Sequence, residues 1–485
     1  KLFHSRSTSA AAPARDEALL SDTVHLNPRM NPTSAAFVIH FSMLIPYSNS
    51  VHIRGSESTE KVVRAKLQKA AEDTLEGSCG GDSIGFEEFA RRHRREYIHG
   101  SKEYEVRKAF FEKHVQEARR YNCRPGKRLW SAGVTSLSDR SDEELARLRG
   151  RRSSGVEGQP VFGGSEARSR LSALESRAEI VRKHGSSRVK AWPDSFNWTH
   201  LPAMRDIIDQ GSCGSCWASA TALMLRSHTD IYHVDRRFSI QQLVSCVPNP
   251  QACGGSGGCN GSTGELALDY IMHNGLEEES MLPYQDQDGT CPPTMSPRNV
   301  RPIPQPTSSF ADNSSFLQEG PSKSFGMVGW SKLPANKLEP LYLALYQEGP
   351  VAVSVAAGYS WTYYVQGILD DCKLEDMVVN HLVVAIGYGE DSSLEAKYWL
   401  LQNSWGDQWG EGGHMRMIRQ DDDVEAKHCN WDNEPLIGTG CKGGPPKVWA
   451  CGSCGILFDN VVVHFQGNGD TAQEMLRRQN ETFAP

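Results

Sequence analysis

Two hydrophobic patterns divide the chain into a charged helical part and an apolar part. Between residues 86 and 118 apolar side chains recur at helical spacing among many charges, as in EYEVRKAFFEKH, and this pattern predicts amphipathic helices. After residue 190 the apolar segments are longer and Gly-rich loops separate them. The predicted elements there are helices at 216–228, 239–245, 264–274 and 336–348, then strands at 351–356, 381–388, 398–402 and 456–465. Helices followed by strands indicate an α+β fold of two lobes with a cleft between them.

Composition defines further segments around these two parts. The predicted divisions are an extension rich in Ser, Ala and Pro (1–78), a helical domain (79–150), an exposed linker open to cleavage (151–190), a main domain (191–465) and a polar tail (466–485). The extension is expected to be partly disordered. Within the main domain, residues 292–326 and 421–450 interrupt the apolar pattern and predict two surface insertions, called here the first and the second insertion.

An apolar run at 35–47 has the length of the hydrophobic region of a signal peptide. It does not stand at the beginning of the sequence, although a start at Met30 would place it correctly. A buried strand or short helix is the alternative interpretation. No run approaches 18 apolar residues, so the sequence predicts no membrane-spanning helix.

The two parts carry opposite charge. Residues 1–190 contain 34 Lys and Arg against 24 Asp and Glu, a net of +10, whereas residues 191–485 contain 18 against 35, a net of −17. This asymmetry predicts that the two parts bind each other; a nucleic-acid-binding arm is the alternative. Because Glu residues are interleaved with the Arg residues, a solvated helix face is favoured and no nucleic-acid partner is expected.

The cysteine count points to an oxidising compartment. Of 13 cysteines, 11 follow residue 190, and this odd number leaves one thiol free after ten have paired. Glycosylation sequons at Asn197, Asn313 and Asn480 are compatible with a secretory route. We therefore expect a secretory, endolysosomal or vacuolar location, or secretion.

The stretch QGSCGSCWASA, from Gln210 to Ala220, contains a C-x-x-C pair that three chemistries use. A zinc site needs four ligands, and only the distant Cys451-Gly-Ser-Cys454 offers a second pair, so no metal site is expected. A redox dithiol or a nucleophilic cysteine is compatible with a helix beginning at Cys216, because a helix N-terminus stabilises a thiolate. A nucleophile also needs a base, a group that orients the base and donors for an oxyanion.

The further motifs VVNHLVVAIGYG, with His381, and QNSWGDQWGEGG, with Asn403, follow in order. Together with QGSCGSCWA and CNG they resemble the papain/cathepsin L-like cysteine proteases over residues 191–465. The resemblance implies a two-lobed fold with a helical left lobe and an antiparallel, barrel-like right lobe. It also implies that Cys216 is the nucleophile and His381 the base. Three further roles are implied: Asn403 orients the imidazole, Gln210 donates to the oxyanion, and Trp405 and Trp409 belong to the substrate cleft.

The resemblance also implies three disulfides. Cys213 would pair with Cys259, and Cys246 with Cys291. Cys372 would pair with Cys454, although Cys429 is an alternative partner. The sequence does not separate the three possible pairings of the remaining cysteines, Cys253, Cys429, Cys441 and Cys451.

Specificity is predicted from positions that differ within the family. Ser262 follows Gly261 where the family has a second Gly whose backbone binds the substrate chain, so this binding is in question. Asp459 would lie at the base of the pocket for the second residue before the scissile bond, with Glu434 the equivalent if Cys429 were the aligned cysteine. An acid there implies acceptance of basic as well as apolar side chains, while Leu382 should narrow the pocket. No insertion carries paired histidines, so an endopeptidase is expected.

The helical domain resembles the inhibitory propeptide of the same family. Family positions of its helix signature are matched by Glu103, Arg107, Phe111 and Asn122, and replaced by His114 and Ala118. A second signature is half matched by Gly133, Thr135, Leu137 and Asp139. The opposite charges suggest that the two parts separate as carboxylates protonate near pH 4, which would permit self-cleavage between 150 and 192.

The sequence therefore predicts a monomeric zymogen of a papain-like cysteine endopeptidase, inhibited by its own propeptide and acting on proteins or peptides without a cofactor. Two alternatives stay open. A catalytically silent papain-fold binding protein would retain the fold without the reaction, and a thiol–disulfide oxidoreductase would use the C-x-x-C pair.

Overall fold

The structure is a computed structural model that describes residues 84–149, 157–158, 192–232, 235–295 and 326–465. The predictions for the extension, the apolar run at 35–47, the polar tail and the sequons at Asn313 and Asn480 lie outside the described residues. So do most of the linker and most of the first insertion.

The helical domain is built on two helices joined by an aromatic cluster. Helix α1 (Phe86–Arg92) packs its Phe86 and Phe89 against Tyr104 and Phe111 of α2 (Lys102–Asn122). Charged residues cover the outer faces, as the helical spacing predicted. A short third helix, α3 (Asp142–Leu148), begins with a capping box in which Ser141 and Glu144 exchange side-chain-to-backbone hydrogen bonds.

The main domain begins with helices that pack around α4 (Cys216–Tyr232). This helix is almost entirely buried, and its buried hydroxyls, such as those of Thr221 and Ser227, donate to backbone carbonyls one turn earlier in the same helix. Helices α5 (Ile240–Cys246) and α6 (Gly264–Asn274) pack beside it. All three lie within two residues of their predicted starts, and α4 continues four residues beyond its predicted end.

A nine-stranded sheet forms most of the rest of the domain. Its strands lie side by side in the order β1 (Trp130–Ala132), β6 (Tyr364–Leu369), β9 (His414–Arg419), β8 (Ala396–Gln402), β7 (His381–Asp391), β5 (Val351–Val355), β13 (Asn460–Phe465) and β4 (Met327–Lys332). Strand β3 (Phe196–Asn197) pairs with β7. The strands on this path run parallel only between β6 and β9. Among the described strands the sheet is open, with β1 and β4 at its two ends, so the expected antiparallel barrel-like lobe is corrected to an open mixed sheet. Strand β1 comes from the helical domain, and it pairs with β6 of the main domain through Trp130 and Gly367.

One strand prediction needs correction, and several strands were not predicted. The strand predicted at 456–465 begins only at Asn460, because the chain turns through a left-handed backbone at Cys454. Strands β4, β6 and β9 were not predicted, although the alternation of buried and half-buried residues in β9 is typical of a strand. The bounds of the remaining elements are β2 Glu157–Gly158, α7 Leu338–Gln347, α8 Ser360–Tyr363, α9 Asp422–Glu425, β10 Cys429–Asp432, β11 Cys441–Lys442 and β12 Val448–Cys451.

Disulfides cross-link the main domain. The bonds are Cys213–Cys259, Cys246–Cys291, Cys253–Cys441, Cys372–Cys454 and Cys429–Cys451. The first two and Cys372–Cys454 are the pairs that the resemblance implied, and Cys429 is therefore not the partner of Cys372. Among the described cysteines, Cys216 alone is free. Within the described ranges no helix is long and apolar enough to span a membrane, and no group of His, Cys, Asp and Glu side chains has the arrangement of a metal site.

Candidate active site

Cys216 and His381 meet at the junction of the two lobes. Cys216 is the first residue of α4, and His381 is the first residue of β7, opposite Val355 of β5. Both side chains line one small pocket. Backbone groups of Leu382 and Trp217 interact with the thiol in the sense that favours the thiolate. A buried free thiol at a helix N-terminus therefore stands beside an imidazole.

Asn403 fixes the orientation and tautomer of His381. The His381 Nε2 lies 2.9 Å from Asn403 Oδ1, which also accepts the Ser404 backbone N–H at 2.8 Å. Because Oδ1 is an acceptor, the neutral imidazole carries its proton on Nε2 and leaves Nδ1 as the basic nitrogen. Nδ1 is buried and makes no hydrogen bond within the described part of the chain. The imidazole is thus ready to accept a proton at Nδ1.

Two tryptophans contact the imidazole, and a third packs against both of them. Trp405 stacks on His381 with ring centroids 4.9 Å apart, and Trp361 meets the same ring edge-on at 6.1 Å. Trp409 is fully buried beneath them and donates its indole N–H to the Trp361 carbonyl at 2.8 Å. Trp405 therefore covers one face of the imidazole whose Nε2 is bonded to Asn403. Trp409 supports Trp405 from below and does not line the pocket in this form. Trp361 was not identified from the sequence, because nothing in the motif of α8 marks it.

Gln210 places its side-chain amide at the same junction. Its Nε2 donates to the Leu148 carbonyl of the helical domain at 3.0 Å and to the Cys213 carbonyl at 2.8 Å. Its Oε1 accepts from the Ser404 hydroxyl at 2.6 Å, which holds the amide in one orientation. A carbonyl oxygen of the helical domain therefore already occupies the donor that was predicted to bind an oxyanion.

Burial keeps the Cys216–His381 pair neutral in this form. Burial raises the pKa of the Cys216 thiol to about 11. It lowers the pKa of His381 to about 4, against the opposing effect of the hydrogen bond that His381 donates to Asn403. Both shifts arise because each charged form loses its hydration. At neutral pH the structure thus favours a thiol and an imidazole over a thiolate and an imidazolium.

The small pocket beside Cys216 has walls from both lobes. Ser262 and Gly264 line its wall on the helical lobe, and Leu382 and Ser354 line its wall on the lobe that contains the sheet. A Cβ built on Gly264 would lie 3.2 Å from the Leu382 Cδ2, so the Leu382 side chain reaches across to the opposite wall. Gly261 lies behind this wall, and its carbonyl accepts the Gly257 N–H at 2.8 Å.

Asp459 lies at the base of the pocket, but its carboxylate is not free. It is 5% exposed and accepts a hydrogen bond from Ser354 Oγ at 2.8 Å. Its other oxygen contacts Lys332 Nζ, which also lies 2.8 Å from Glu265 Oε1. Lys332 and Glu265 were not identified from the sequence, since Lys332 stands in an alternating strand where a lysine usually faces solvent. Glu434, the other candidate acid, does not line the pocket.

The second insertion crosses the cleft beside this pocket. Its Cys441 is bonded to Cys253 of the helical lobe, and the Gly254 N–H donates to the Gly440 carbonyl at 2.8 Å. On the opposite wall, Gly438 packs so closely against Val379 that a Cβ there would overlap the Val379 carbonyl. Residues 437–439 therefore touch both walls and line the pocket with Cys216.

The helical domain covers the other side of Cys216. Besides the Leu148 contact, the Arg149 guanidinium donates to the Ala357 carbonyl at 3.2 Å. The second signature segment docks on α8, where the Gly133 N–H donates to the Tyr363 carbonyl at 2.9 Å and Thr135 Oγ1 donates to the Thr362 carbonyl at 2.8 Å. Gly133 and Thr135 of the second signature thus make contacts between the two domains, whereas Arg107 and Asp139 pair within the helical domain.

Comparisons with known proteins agree with this geometry. Residues 192–439 match the family model described as papain family cysteine protease. The chain is 27% identical to the senescence-specific cysteine protease SAG12 of Arabidopsis thaliana, over 74% of this chain and 89% of that one. It is also 27% identical to a cathepsin L-like proteinase of Fasciola hepatica, over 71% and 90%.

A solved structure extends the likeness to the helical domain. Digestive procathepsin L2 proteinase from the larval midgut of Tenebrio molitor superposes with a TM-score of 0.53 at 24% identity, covering 78% of this chain and 98% of that chain. At this identity the likeness concerns the fold, which is papain-like and extends over a proform. With half of its residues matched by the family model, this chain belongs to the papain family of cysteine proteases.

Proposed function

We propose that this chain is the zymogen of a cysteine endopeptidase that cleaves peptide bonds through an acyl-enzyme on Cys216. The observation that carries the proposal is the buried free thiol of Cys216 beside an imidazole whose orientation Asn403 fixes through a 2.9 Å hydrogen bond. Family membership supports the same chemistry.

The reaction follows from the positions of these groups. Once the site is exposed, His381 Nδ1 takes the thiol proton, and the thiolate attacks the scissile carbonyl carbon. The Gln210 amide and the Cys216 N–H stabilise the oxyanion, and the imidazolium protonates the leaving amine. Water, deprotonated by His381, then hydrolyses the thioester and restores the thiol.

The helical domain acts in this proposal as an intramolecular inhibitor. Its Leu148 carbonyl takes the Gln210 amide that a substrate carbonyl would need. Burial is the main cause of the lowered pKa of His381, and the charge of Arg149 at the end of the helical domain lowers this pKa further. Release of the domain therefore restores both the oxyanion donor and the ionisation of the pair.

Acid activation is part of the proposal, but its origin differs from a general attraction between oppositely charged parts. In the described residues a single ion pair joins the two domains, between the exposed side chains of Lys127 and Glu395. The closer pairs, such as Arg95–Asp139 and Arg107–Glu144, lie inside the helical domain. Acid is thus expected to loosen the propeptide by weakening its own fold.

The substrate preference that we propose is apolar at the second position before the scissile bond. Leu382, Trp217 and Ile437, the large apolar side chains that line the pocket, support this half of the sequence-based prediction. The basic half of the prediction assumed a free acid at Asp459, and the contact between Asp459 and Lys332 speaks against it.

The disulfides are compatible with an oxidising secretory, endolysosomal or vacuolar compartment.

The two alternatives make different demands. A thiol–disulfide oxidoreductase would pair Cys213 with Cys216, but Cys213 is bonded to Cys259. A silent binding protein would not need His381, Asn403 and Gln210 in this arrangement.

Covalent labelling of the acid-treated protein with a peptidyl epoxide tests the proposal. We expect a mass shift on Cys216, parallel loss of hydrolysis of an N-blocked Phe-Arg amide, and no label on Cys216→Ala. Absence of both label and hydrolysis would leave the silent binding protein as the better explanation.

A further inference from the structure

The acid at the base of the substrate pocket is held by a lysine from the neighbouring strand. Strand β4 pairs with β13, and Lys332 stands opposite Val461, two residues beyond Asp459. This register directs Lys332 Nζ to the Asp459 carboxylate. Ser354 Oγ occupies the second carboxylate oxygen at 2.8 Å. Both oxygens of Asp459 thus have partners within the protein.

Glu265 holds the same lysine from the other lobe. It lies in the first turn of α6, directly after Gly264 of the pocket wall, and its Oε1 is 2.8 Å from Lys332 Nζ. The side chains of Lys332, Glu265 and Asp459 are 24%, 14% and 6% exposed. The ammonium is therefore fixed between two largely buried carboxylates and has little freedom to leave.

The cluster retains its cation at every pH at which such an enzyme works. Burial alone would lower the pKa of Lys332, but the charges of Asp459 and Glu265 raise it well above its ordinary value. Burial and the neighbouring Glu265 raise the pKa of Asp459, whereas Lys332 lowers that of Glu265 against the effect of burial. One proton shared by the two acids would make the three groups electrically neutral.

We propose that Lys332 is a specificity-determining residue, which acts as a built-in cation in the place that a basic substrate side chain would take. This inference rests on the proposed peptidase function and deepens it: the second position before the scissile bond accepts apolar side chains and rejects Arg and Lys.

The rejection has two physical causes. An entering guanidinium would meet the Lys332 ammonium in a poorly hydrated pocket, where like charges repel more strongly than in water. To pair with Asp459 it would have to displace Lys332 and leave that buried ammonium without one of its partners, which is costly. An apolar side chain meets neither penalty.

The test compares two N-blocked fluorogenic amides, Phe-Arg and Arg-Arg, on the mature enzyme. The two substrates share their backbone and first residue, so the ratio of their kcat/KM values isolates the second position. We expect the wild type to favour Phe-Arg by at least about 100-fold. Lys332→Met with Glu265→Gln leaves Asp459 as a lone acid, and the ratio should fall by about tenfold or more, as a freed carboxylate pairs with the guanidinium.

Three further variants separate this cause from others. Adding Asp459→Asn to the double variant should restore the preference for Phe-Arg. Lys332→Arg keeps the cation and should leave the ratio close to the wild-type value. Lys397→Met removes a lysine paired with Asp421 away from the pocket, and it should not change the ratio.

The outcomes are distinct from failure of the proposed function. If neither amide is cleaved and no epoxide labels Cys216, the peptidase proposal fails. If the wild type cleaves both amides with kcat/KM values within about threefold of each other, Lys332 does not exclude basic side chains and the inference is overturned. An unchanged ratio in the folded double variant, checked by thermal melting, would overturn it too. Should that variant not fold, the wild-type and Lys332→Arg ratios decide.

Discussion

The cleft carries two covers that are attached in different ways. The helical domain lies over Cys216 by hydrogen bonds and packing, including the Leu148–Gln210 contact and the β1–β6 pairing. The second insertion lies over the pocket and is held by disulfides, with Cys253–Cys441 joining the two lobes. Both covers narrow the same site, but a single cleavage in the linker can release only the first.

The difference indicates that inhibition and substrate selection are separated in the molecule. A cover held by weak contacts can dissociate once its own fold loosens. A cover closed by a disulfide over a separation of 188 residues stays with the mature chain, and such a cross-link stabilises the folded state against the unfolded chain by about 5 kcal/mol in the chain-entropy description. In the proposed function the propeptide would therefore control when the enzyme acts, and the insertion would control what enters the pocket.

The largest effect is expected from Cys216→Ala, which leaves both covers in place. Hydrolysis should fall by roughly 10⁴- to 10⁶-fold, because the nucleophile is lost while binding groups remain. At low pH the wild-type zymogen should cleave itself between residues 150 and 192, and the variant should stay intact on a denaturing gel. Identical behaviour of the two proteins at low pH would exclude self-cleavage.

Weakening only the propeptide should give the next largest effect. Asp139 is fully buried and accepts hydrogen bonds from Arg95 and Tyr97. Asp139→Ala removes the acid and leaves Arg95 without its partner, at a cost of about 3 kcal/mol. The population without the cover, and with it the hydrolysis at neutral pH, should rise by about 100-fold.

Its matched control is Glu117→Gln on the exposed face of α2, where Glu117 pairs with Arg120. That variant should remain as inhibited as the wild type, since exposed pairs contribute little. Equal inhibition in Asp139→Ala would show that the cover does not depend on the fold of the helical domain.

Opening only the disulfide-linked cover should have a smaller effect, on the mature enzyme. In Cys253→Ser with Cys441→Ser the second insertion can move away from Gly254 of the helical lobe, so kcat/KM for N-blocked peptides should rise by about tenfold, equivalent to about 1.4 kcal/mol. Cys429→Ser with Cys451→Ser removes the other disulfide of the same region without freeing the crossing. If the two double variants behave alike, the crossing does not restrict the substrate.

The smallest effect is expected from acid on the propeptide alone. Burial by itself would raise the pKa of Glu144, but the Arg107 hydrogen bonds and charge and the Ser141 N–H together lower it. A lowered pKa in the folded state gives stability that is complete above the unfolded pKa near 4.3 and is lost as the pH falls through the folded value. The rate of amide hydrogen exchange of residues 102–122 should therefore rise a few-fold when the pH is lowered from 6 to 3.5. The rates are measured in the Cys216→Ala zymogen and corrected for the intrinsic exchange rate at each pH.

Arg107→Ala with Glu144→Ala provides the comparison, because it removes the titrating pair. Its exchange should be faster at pH 6 and less dependent on acid than that of the parent. The pKa shift of Asp432 in the second insertion has the opposite sign to that of Glu144, since burial raises the pKa of Asp432 to about 6. Acid should therefore not loosen the insertion through this residue. Faster exchange of 429–432 than of 102–122 on acidification would contradict the separation of the two covers.

The sequence predicted the parts of the site that lie in continuous motifs. Cys216, His381 and Asn403 each stand beside residues that mark their element, so their approach in space followed from the resemblance. The disulfide partners of Cys253 and Cys429 could not be predicted, because the order of the cysteines along the chain does not show which of them lie close together in the fold. Lys332 and Trp361 were missed for a related reason: each acquires its role through a strand register or a packing contact formed only in the folded chain.

Removal of strand β1 with the propeptide would give the mature enzyme a surface that the zymogen lacks. In the zymogen, β1 completes the hydrogen bonding of β6, and Gly367 lets the two backbones approach so closely that a Cβ there would lie 2.3 Å from the Leu129 carbonyl. Loss of the propeptide turns β6 into an edge strand with unpaired N–H and C=O groups. Such an edge accepts any extended chain of suitable shape. If activation removes the propeptide as proposed, it therefore exposes an unpaired strand edge at the same moment that it opens the cleft.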